Sequence, residues 1–290
     1  MIAIIINPLS GGASRATGRR RAELASDALA RSGEEGEVFL TEGRGHGREL
    51  AAAASKRGAR LVIAWGGDGT INEIASALVF NPTALGIVPS GSGNGLAREL
   101  KIRSRPEHAI ADAMRASPRL IDAGELGGRL FVNLAGLGFD AHVAACFDRD
   151  STGRRGLRTY ARLTAREIFR YQAGTYCVDG VTVDRALLVT IANSGQFGNG
   201  ARVAPSARLD DGLLDLVIFQ ERTRVGAIAT IPRFFTGGFE RLRGVTVRKI
   251  ERISITADRP IPFHVDGEPV EGGTVLEGRV LPSALRVAVR

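Results

Sequence analysis

Glycines and acidic residues follow a short apolar stretch in the first third of the chain. Residues 61–73 read LVIAWGGDGTINE, in which an apolar run ends at Trp65 and glycines flank Asp68. Glycines permit a tight turn that brings backbone N–H groups near a ligand, and the start of a helix adds N–H groups and a favourable dipole. A carboxylate beside a phosphate needs a bridging cation. This pattern predicts nucleotide phosphate with Mg²⁺; the alternative is a plain strand–turn–helix link in which Asp68 caps the helix.

Two more loops of this type follow other apolar runs. Residues 7–12 read NPLSGG, and residues 89–95 read PSGSGNG. In an open parallel sheet, ligands bind outside the carboxyl ends of the strands. We therefore expect the three loops to share one edge of a sheet.

The elements that would position these loops alternate along the first 122 residues. Apolar runs predict strands over 2–6, 38–40, 61–64 and 85–88. Helical patterns cover 16–30, 48–56 and 70–79, with another helix near Leu96. Continuous apolar strands separated by helices are typical of a parallel sheet covered on both faces, which predicts an α/β domain.

The pattern changes after about residue 120. Runs rich in Val, Ile and Leu recur over 130–133, 176–183, 186–191, 214–219, 252–256 and 275–280. Turn signals such as Asp179-Gly180 separate them, and helical patterns interrupt them over 156–171 and 225–235. This predicts a mainly antiparallel β-sandwich. We assign residues 1–122 to the α/β domain and 123–281 to the β-rich domain, with about 282–290 as a candidate return to the first.

Composition limits the class of protein. The chain has 290 residues, of which 44% are hydrophobic and 24% charged, as in packed globular proteins. The longest apolar run, residues 1–6, is far shorter than the roughly 20 residues of a membrane span and does not resemble a signal peptide. Two cysteines give no disulfide framework, no Cys/His spacing predicts zinc, and the four histidines are interpreted as structural. We expect a soluble, cytoplasmic protein.

A net charge of +8 favours an anionic partner, either nucleotide phosphate, anionic lipid or nucleic acid. No recognition-helix, RRM or OB signature is evident, so we do not expect nucleic acid. A homodimer is left open.

The loops, in their order and spacing, resemble the diacylglycerol kinase catalytic domain. This group includes bacterial lipid kinases and sphingosine kinases and is related in fold to the NAD kinases. The resemblance rests on N-P-L-S-G, G-G-D-G-T and P-S-G-S-G-N, and it continues through residues 131–133, 136–140, 197–200, 204–205, 209–215 and 265–268. It therefore spans nearly the whole chain and implies a nucleotide-binding first domain and a lipid-substrate second domain.

The resemblance implies an ATP site and a metal site. The ATP site would be formed by Asn7, Pro8, Leu9, Ser10, Gly11, Thr41, Gly66, Gly67, Asp68, Gly69, Thr70, Ile71, Asn72 and Ser92. Mg²⁺ would be held by the carboxylate of Asp211 with the backbone carbonyls of Arg208 and Leu213, a set of oxygen ligands that suits a hard cation. Asp122 is a candidate member of the acidic network around the metal.

The resemblance also implies the general base. Glu268 matches the residue proposed to act on the lipid hydroxyl, whereas in sphingosine kinases the Asp of the glycine loop is favoured, here Asp68. A free Glu has a pKa of about 4.3, which is low for taking a proton from an alcohol. Because phosphoryl transfer through a loose transition state needs little early proton removal, positioning and charge neutralisation should dominate. The chain departs from many bacterial members at Gly95, where they carry an acid, and at Ser92, where they carry Thr.

Two segments are candidates for the lipid side. Arginines recur every fourth residue at Arg154, Arg158, Arg162, Arg166 and Arg170. On a helix they form a basic ridge that would attract an anionic membrane; the alternative is a solvated face. Phe234, Phe235 and Phe239 would line a lipid entrance, although packing in the core is expected for at least one of them.

The expected function is therefore an ATP- and Mg²⁺-dependent lipid kinase at the membrane surface, phosphorylating a hydroxyl of a diacylglycerol- or sphingosine-type lipid. Two alternatives remain: an NAD-kinase-like enzyme with a soluble substrate, and a non-catalytic nucleotide or lipid sensor.

Overall fold

The computed structural model describes residues 1–149, 157–220 and 223–290. The chain forms two compact units, one of Met1–Ile121 with Ser283–Arg290 and one of Asp122–Pro282. Each unit is described separately below.

The first unit alternates strands and helices. Its elements are β1 (Ile2–Ile6), α1 (Arg15–Ser32), β2 (Gly36–Leu40), α2 (His46–Lys56), β3 (Leu61–Gly66), α3 (Asp68–Leu78), β4 (Ala84–Pro89), α4 (Gly95–Glu99) and α5 (Pro106–Arg115). All strand pairs are parallel, in the order β2-β1-β3-β4. A parallel contact between Val287 and Leu85 adds the C-terminal residues beside β4.

The apolar strands of this sheet are buried because helices cover them. Ile2, Ile4 and Ile6 belong to one core cluster that also contains residues of α1 and α5. Ala3 and Ile5 point to the opposite face, since successive side chains of a strand alternate, and they are fully buried too. The helix α1 begins at the Ser14 cap, whose side chain accepts a hydrogen bond from the Thr17 amide. The predicted α/β class is confirmed.

The second unit consists mostly of strands. Its elements are β5 (Arg119–Leu126), whose first residues precede the unit, β6 (Arg129–Phe131), β7 (Leu134–Gly138), α6 (Phe139–Arg149), α7 (Leu157–Glu167), β8 (Gly174–Val178), β9 (Val181–Ala192), β10 (Gln196–Gly198), β11 (Ala201–Arg202), β12 (Leu214–Gln220), α8 (Arg224–Thr230), α9 (Arg233–Thr236), β13 (Val245–Ile250), β14 (Arg252–Thr256), β15 (Phe263–Val265), β16 (Glu268–Val270) and β17 (Val275–Val287), which continues beyond it.

These strands pair antiparallel around the long strand β9, which has β7, β8 and β12 as neighbours. Alternation along β12 separates two cores: Leu216 and Ile218 join one cluster, while Val217 and Phe219 join another that includes residues of α6 and α8. The predicted antiparallel β-sandwich is confirmed.

Several predicted elements have different bounds. The strand predicted over 176–183 is a hairpin, because Asp179 (φ 49°) and Gly180 (φ 81°) turn the chain between β8 and β9. The strand predicted over 130–133 ends at Phe131, and the helix predicted over 225–235 is two short helices, α8 and α9. The helix predicted from Thr70 begins at Asp68. Helices α5 and α6 were not predicted.

Candidate active site

In the first unit, three loops meet at the carboxyl edge of the parallel sheet. The amide of Asn7 donates to the carbonyl of Trp65, and the amide of Ser90 donates to the carbonyl of Gly66, each at 2.9 Å. The first bond joins the loop after β1 to β3, and the second joins the loop after β4 to β3. The three sequence motifs therefore form one continuous surface of backbone.

Glycines allow these loops to approach each other closely. A Cβ on Gly11 would lie 2.3 Å from the carbonyl oxygen of Ser90, and the φ of Gly11 is +72°. A Cβ on Gly91 would lie 2.6 Å from the Cα of Gly67. Real Cβ atoms essentially never come this close, so the loops keep their positions only while these residues are glycine.

Side chains of the first loop connect it to the other two. The Asn7 side chain donates to the Thr70 hydroxyl at 2.9 Å and accepts from the Leu9 amide at 3.0 Å. The hydroxyls of Ser10 and Ser90 lie 2.6 Å apart. Asn7, Ser10 and Thr70 were assigned to the ATP site from sequence; here they hold the shape of the loops.

Arg21 on α1 supports the first loop, a role that the sequence did not reveal. Its guanidinium donates to the carbonyls of Asn7 and Ser10 at 3.1 and 3.2 Å and to the Ser10 hydroxyl at 2.8 Å. The group also lies over the Trp65 ring, 5.8 Å from its centroid. Burial lowers the pKa of Arg21 from its usual value. Arg21 lies 14 residues from Asn7 and 11 from Ser10, so the sequence gives no local signal of this contact.

The carboxylate of Asp68 holds the loop that follows β4. Its two oxygens accept hydrogen bonds from the backbone amides of Asn94 and Gly95, at 2.8 and 2.7 Å. Asn94 adopts φ 50°, and its side chain bonds both the amide and the carbonyl of Gly91. Gly95, which stands where many bacterial members carry an acid, thus contributes its amide to Asp68. An Asp68 engaged by two amides is suited to positioning this loop.

The remaining residues assigned to ATP lie on or beside the three loops. Thr41 follows β2, is buried, and donates its amide to the carbonyl of Ile6 at 2.9 Å. Ile71 is a core residue with a fully buried side chain. Leu9 is 60% exposed and Ser92 is also exposed. Pro8, Gly69 and Asn72 are partly buried.

In the second unit, the carboxylate of Asp211 already has a cationic partner. Lys249 on β13 donates to Asp211 at 2.6 Å and to the buried Asp215 at 3.2 Å. Burial lowers the pKa of Lys249, but the bonds to the two carboxylates outweigh it and hold that pKa above its usual value. A metal ion that binds the carboxylate of Asp211 would therefore compete with the ammonium group of Lys249 for its oxygen.

The surroundings of Asp211 still fit a hard divalent cation in charge and donor type. Buried Asp122 accepts from the Gly212 amide at 2.7 Å, which brings a third acidic residue to the same turn. Three carboxylates against one ammonium leave a formal charge of −2. The remaining proposed ligands are backbone carbonyls, because the Arg208 side chain is exposed and pairs with Asp210, and Leu213 offers only its backbone.

Glu268 begins β16, directly after a turn that a buried carboxylate fixes. Asp266 accepts hydrogen bonds from the amides of Val132, Asn133 and Leu134, at 2.9, 2.9 and 3.0 Å. Asp266 (φ 49°) and Gly267 (φ 87°) then reverse the chain, so that Glu268 pairs with Val265 across the hairpin. The partly buried Glu268 is therefore held on a rigid turn.

A buried histidine–aspartate pair lies beside this hairpin. The Nε2 of His264 is 3.2 Å from Asp140, and its Nδ1 accepts from the Gly267 amide, which assigns the proton to Nε2. A Cβ on Gly136 would lie 2.1 Å from the Asp140 carboxylate, so only glycine leaves room for it. In the sequence, Asp140 and Gly136 belong to a segment that carries the family resemblance, with no role assigned to either, and His264 was interpreted as structural.

An open apolar cavity of about 140 Å³ lies between the sheet of the second unit and its helices. Asp140 is the single ionisable residue among the described residues that line it. The others are Phe139, Val143, Ile168, Leu187, Leu188, Phe197, Ala201, Phe219, Ala227, Thr230, Ile231, Phe234 and Phe235.

The predicted lipid-side residues divide between core and surface. Phe239 is fully buried and stacks on Phe234 with 4.0 Å between ring centroids, whereas Phe235 is 55% exposed. In the basic ridge, Arg166 and Arg170 pair with Glu167. Arg154 lies outside the described residues, as does the side chain of Arg158. Among the described residues, no helix combines the length and apolar character needed to cross a bilayer.

Family models match both parts of the chain. Residues 1–126 match the diacylglycerol kinase catalytic domain, and residues 133–289 match the YegS C-terminal NAD kinase beta sandwich-like domain.

Similar proteins and structures agree with these matches. A "Probable lipid kinase YegS-like" of Pseudomonas aeruginosa is 33% identical over 277 residues, covering 93% of this chain and 90% of that protein. One of the same description from Chromohalobacter salexigens is 33% identical over 239 residues, covering 80% and 77%. A solved structure of a "putative diacylglycerol kinase" from Bacillus anthracis has a TM-score of 0.79 at 20% identity, covering 100% of this chain and 95% of that one. This chain therefore belongs to the YegS-like lipid kinases, enzymes built on the diacylglycerol kinase catalytic domain.

Proposed function

We propose that this enzyme transfers the γ-phosphoryl group of ATP, with Mg²⁺, to a hydroxyl of a diacylglycerol- or sphingosine-type membrane lipid. The observation that carries the choice of acceptor is the apolar cavity of the second unit, in whose wall Asp140 is the single ionisable residue among those that the structure describes. The cavity's volume of about 140 Å³ is comparable with that of an apolar cavity of about 150 Å³ that binds benzene. The polar groups of a substrate such as NAD would lose their hydrogen bonds to water in such a lining without gaining new ones.

The three loops of the first unit supply the donor site. The first turn of α3 has N–H groups without acceptors inside the helix, and its dipole favours an anion. Asn7 bonds the Thr70 hydroxyl in this turn, and Arg21 bonds the carbonyl of Asn7. The first turn of α3 is therefore held in place before a phosphate binds. Preorganised donors of this kind stabilise phosphoryl transfer more than covalent participation does.

The acceptor chemistry is assigned to the second unit. Glu268 takes the proton of the lipid hydroxyl, the oxygen bonds to the γ-phosphorus, and the bond to the β-phosphate oxygen breaks so that ADP leaves. The buried Asp140 accepts a hydrogen bond from the lipid head group and leaves the tail to the apolar wall. Asp211 and the backbone carbonyls of Arg208 and Leu213 would hold Mg²⁺, which would supply positive charge beside the acidic D-D-G turn.

Exposed apolar side chains support contact with a membrane surface. Ile231 and Phe235 both line the cavity and are 39% and 55% exposed, and Val225 on the neighbouring helix is 76% exposed. Apolar residues at the entrance of an apolar cavity favour extraction of a lipid from a bilayer. We therefore propose a peripheral membrane enzyme.

The acceptor class is tested by filling the cavity. Ala227 lines the cavity and is buried, whereas Ala229 on the same helix is exposed. We expect Ala227→Phe to raise the KM for diacylglycerol or sphingosine in mixed micelles by about tenfold, since overpacking costs about 1–3 kcal/mol, and Ala229→Phe to behave as wild type. The assay follows labelled phosphate from ATP. Transfer to NAD instead of lipid would favour the soluble-substrate alternative, and transfer to neither would favour the sensor.

The base is tested by two amide substitutions. We expect Glu268→Gln to lower kcat by about 10²–10⁴-fold without changing the KM for ATP, as removal of a general base does. Asp68→Asn keeps one oxygen acceptor but loses the second, so it should raise the KM for ATP through the loop of Asn94 and Gly95. If Asp68→Asn lowers kcat alone and Glu268→Gln is active, Asp68 is the base.

A further inference from the structure

A second cluster of metal-ligating side chains lies on helices α6 and α7. His142 and Cys146 occupy one face of α6, one turn apart, and Glu167 ends α7. Their ligand atoms all lie within 4.8 Å of one another. The Glu167 side chain is only 8% exposed, and His142 is 34% exposed. Among the described residues, this is the one group of three such side chains that comes so close.

The spacing of the three groups matches the edges of a metal coordination shell. The Nε2 of His142 is 3.1 Å from a carboxylate oxygen of Glu167 and 3.7 Å from the sulfur of Cys146. With Zn–N and Zn–O bonds of about 2.0–2.1 Å and Zn–S of about 2.3 Å, tetrahedral geometry places N and O about 3.3 Å apart and N and S about 3.6 Å apart. The N–O and N–S distances are therefore already within a few tenths of an ångström of their metal-bound values, and the sulfur and the carboxylate oxygen lie within 4.8 Å of each other.

The ligand types select the metal. Imidazole nitrogen, thiolate sulfur and carboxylate oxygen together suit Zn²⁺, whereas Mg²⁺ requires oxygen ligands. Zn²⁺ with one thiolate and one carboxylate is electrically neutral, and Arg166 and Arg170, which pair with Glu167, add positive charge beside it. Only one oxygen of Glu167 faces His142, because the other accepts a 2.8 Å hydrogen bond from Arg166. Arg166 thus orients the carboxylate as a single-oxygen ligand.

We propose that His142, Cys146 and Glu167 form a Zn²⁺ site that ties α6 to α7. Binding converts the Cys146 thiol to a thiolate, whose proton passes to solvent, and leaves a fourth position for water. Sequence spacing did not predict the site, because Glu167 lies 25 residues from His142 and only the packing of α6 on α7 brings them together.

The site lies next to the apolar cavity. Phe139 and Val143 of α6 line the cavity, and so does Ile168, which directly follows Glu167. The aromatic ring of Tyr171 packs on both His142 and Phe139, with centroids 5.3 and 5.4 Å away. A metal joining the two helices would fix the distance between these walls of the cavity.

Cobalt substitution in the full-length, chelator-treated chain tests the proposal, without ATP or lipid. We expect one Co²⁺ per chain, with an intense near-ultraviolet band from thiolate-to-cobalt charge transfer that Zn²⁺ abolishes and excess Mg²⁺ does not. Cys146→Ser should lose the band and bind at least about 100-fold more weakly, since even supporting residues contribute about 10–100-fold. Cys177→Ser, which changes the other free cysteine, should retain both properties.

A second readout does not depend on cobalt. Zn²⁺ should raise the melting temperature of the wild type and of Cys177→Ser, and leave that of Cys146→Ser unchanged. Co²⁺ binding without the thiolate band, or equal metal affinity in wild type and Cys146→Ser, would overturn the proposal. Because neither measurement involves catalysis, the proposal of a zinc site can fail while the lipid kinase assay succeeds, and the reverse.

Discussion

The two units differ in how they hold most of their functional groups in place, although Asp68 of the first unit also binds two backbone amides. In the first unit, loops meet backbone to backbone, and the decisive feature is the missing side chain of residues such as Gly11 and Gly91. In the second unit, buried carboxylates fix the backbone: Asp266 binds three consecutive amides, and Asp122 binds the Gly212 amide. The first arrangement suits a bulky polyanion that needs exposed N–H groups. The second suits an acceptor site that has to remain apolar and still carry a few oriented acids.

This contrast predicts different sensitivities. Adding one carbon should damage the first unit most, whereas removing one carboxylate should damage the second unit most.

Asp266→Ala should destabilise the second unit strongly. Three buried amides would lose their acceptor, and each unsatisfied group costs about 1–3 kcal/mol, so we expect a loss of roughly 3–5 kcal/mol in the free energy of unfolding. Urea denaturation measures it. Asp210→Ala removes an exposed carboxylate and should cost less than about 0.5 kcal/mol. Equal losses for the two variants would contradict the role of Asp266.

Gly11→Ala should weaken ATP binding more than Gly12→Ala does. Both residues have positive φ, +72° and +74°, so both substitutions carry the same backbone strain. Only the Cβ of Ala at position 11 would collide, 2.3 Å from the carbonyl oxygen of Ser90. At about 1–3 kcal/mol for the collision, we expect a further loss of about tenfold or more in affinity.

Isothermal titration calorimetry with ATP compares the two variants directly. If Gly12→Ala loses as much affinity as Gly11→Ala, the close approach of the first loop to Ser90 does not matter for the nucleotide.

The smallest effect concerns Lys249 and alkaline pH. Because its pKa is raised in the folded protein, Lys249 contributes stability that is complete below its unfolded pKa and is lost as pH rises through the folded pKa. The side chain is 39% exposed, so solvent screening limits this contribution to less than about 1 kcal/mol. Melting temperatures between neutral pH and about pH 11 should fall more steeply for wild type than for Lys249→Met. Parallel curves would show that the pair with Asp211 contributes nothing.

Most of the first unit could be predicted from patterns among neighbouring residues. Strand, glycine turn and helix follow one another within a few residues, so the sequence predicted the three loops and their common edge. Asp68 was predicted to lie beside a phosphate, and nothing in the sequence indicated that its carboxylate binds the amides of Asn94 and Gly95, 26 and 27 residues away. Residue type alone does not determine the direction of a carboxylate.

Contacts between distant segments explain what was missed in the second unit. The partners of Asp266 lie more than 130 residues away, and Lys249 lies 38 residues from Asp211. The D-G turn before Glu268 was visible as a motif, but its anchor at residues 132–134 was not. The lining of the cavity combines strands and helices spread from Phe139 to Phe235, of which the sequence indicated Phe234 and Phe235 as candidates for the lipid side.

The separation of donor and acceptor functions is tested most directly by initial rates of phosphate transfer from ATP to diacylglycerol, with both substrates varied. Gly11→Ala should raise the KM for ATP and leave the KM for the lipid unchanged, and Ala227→Phe should do the reverse. Equal changes in both constants for either variant, or a lipid KM that Ala227→Phe does not alter, would contradict it.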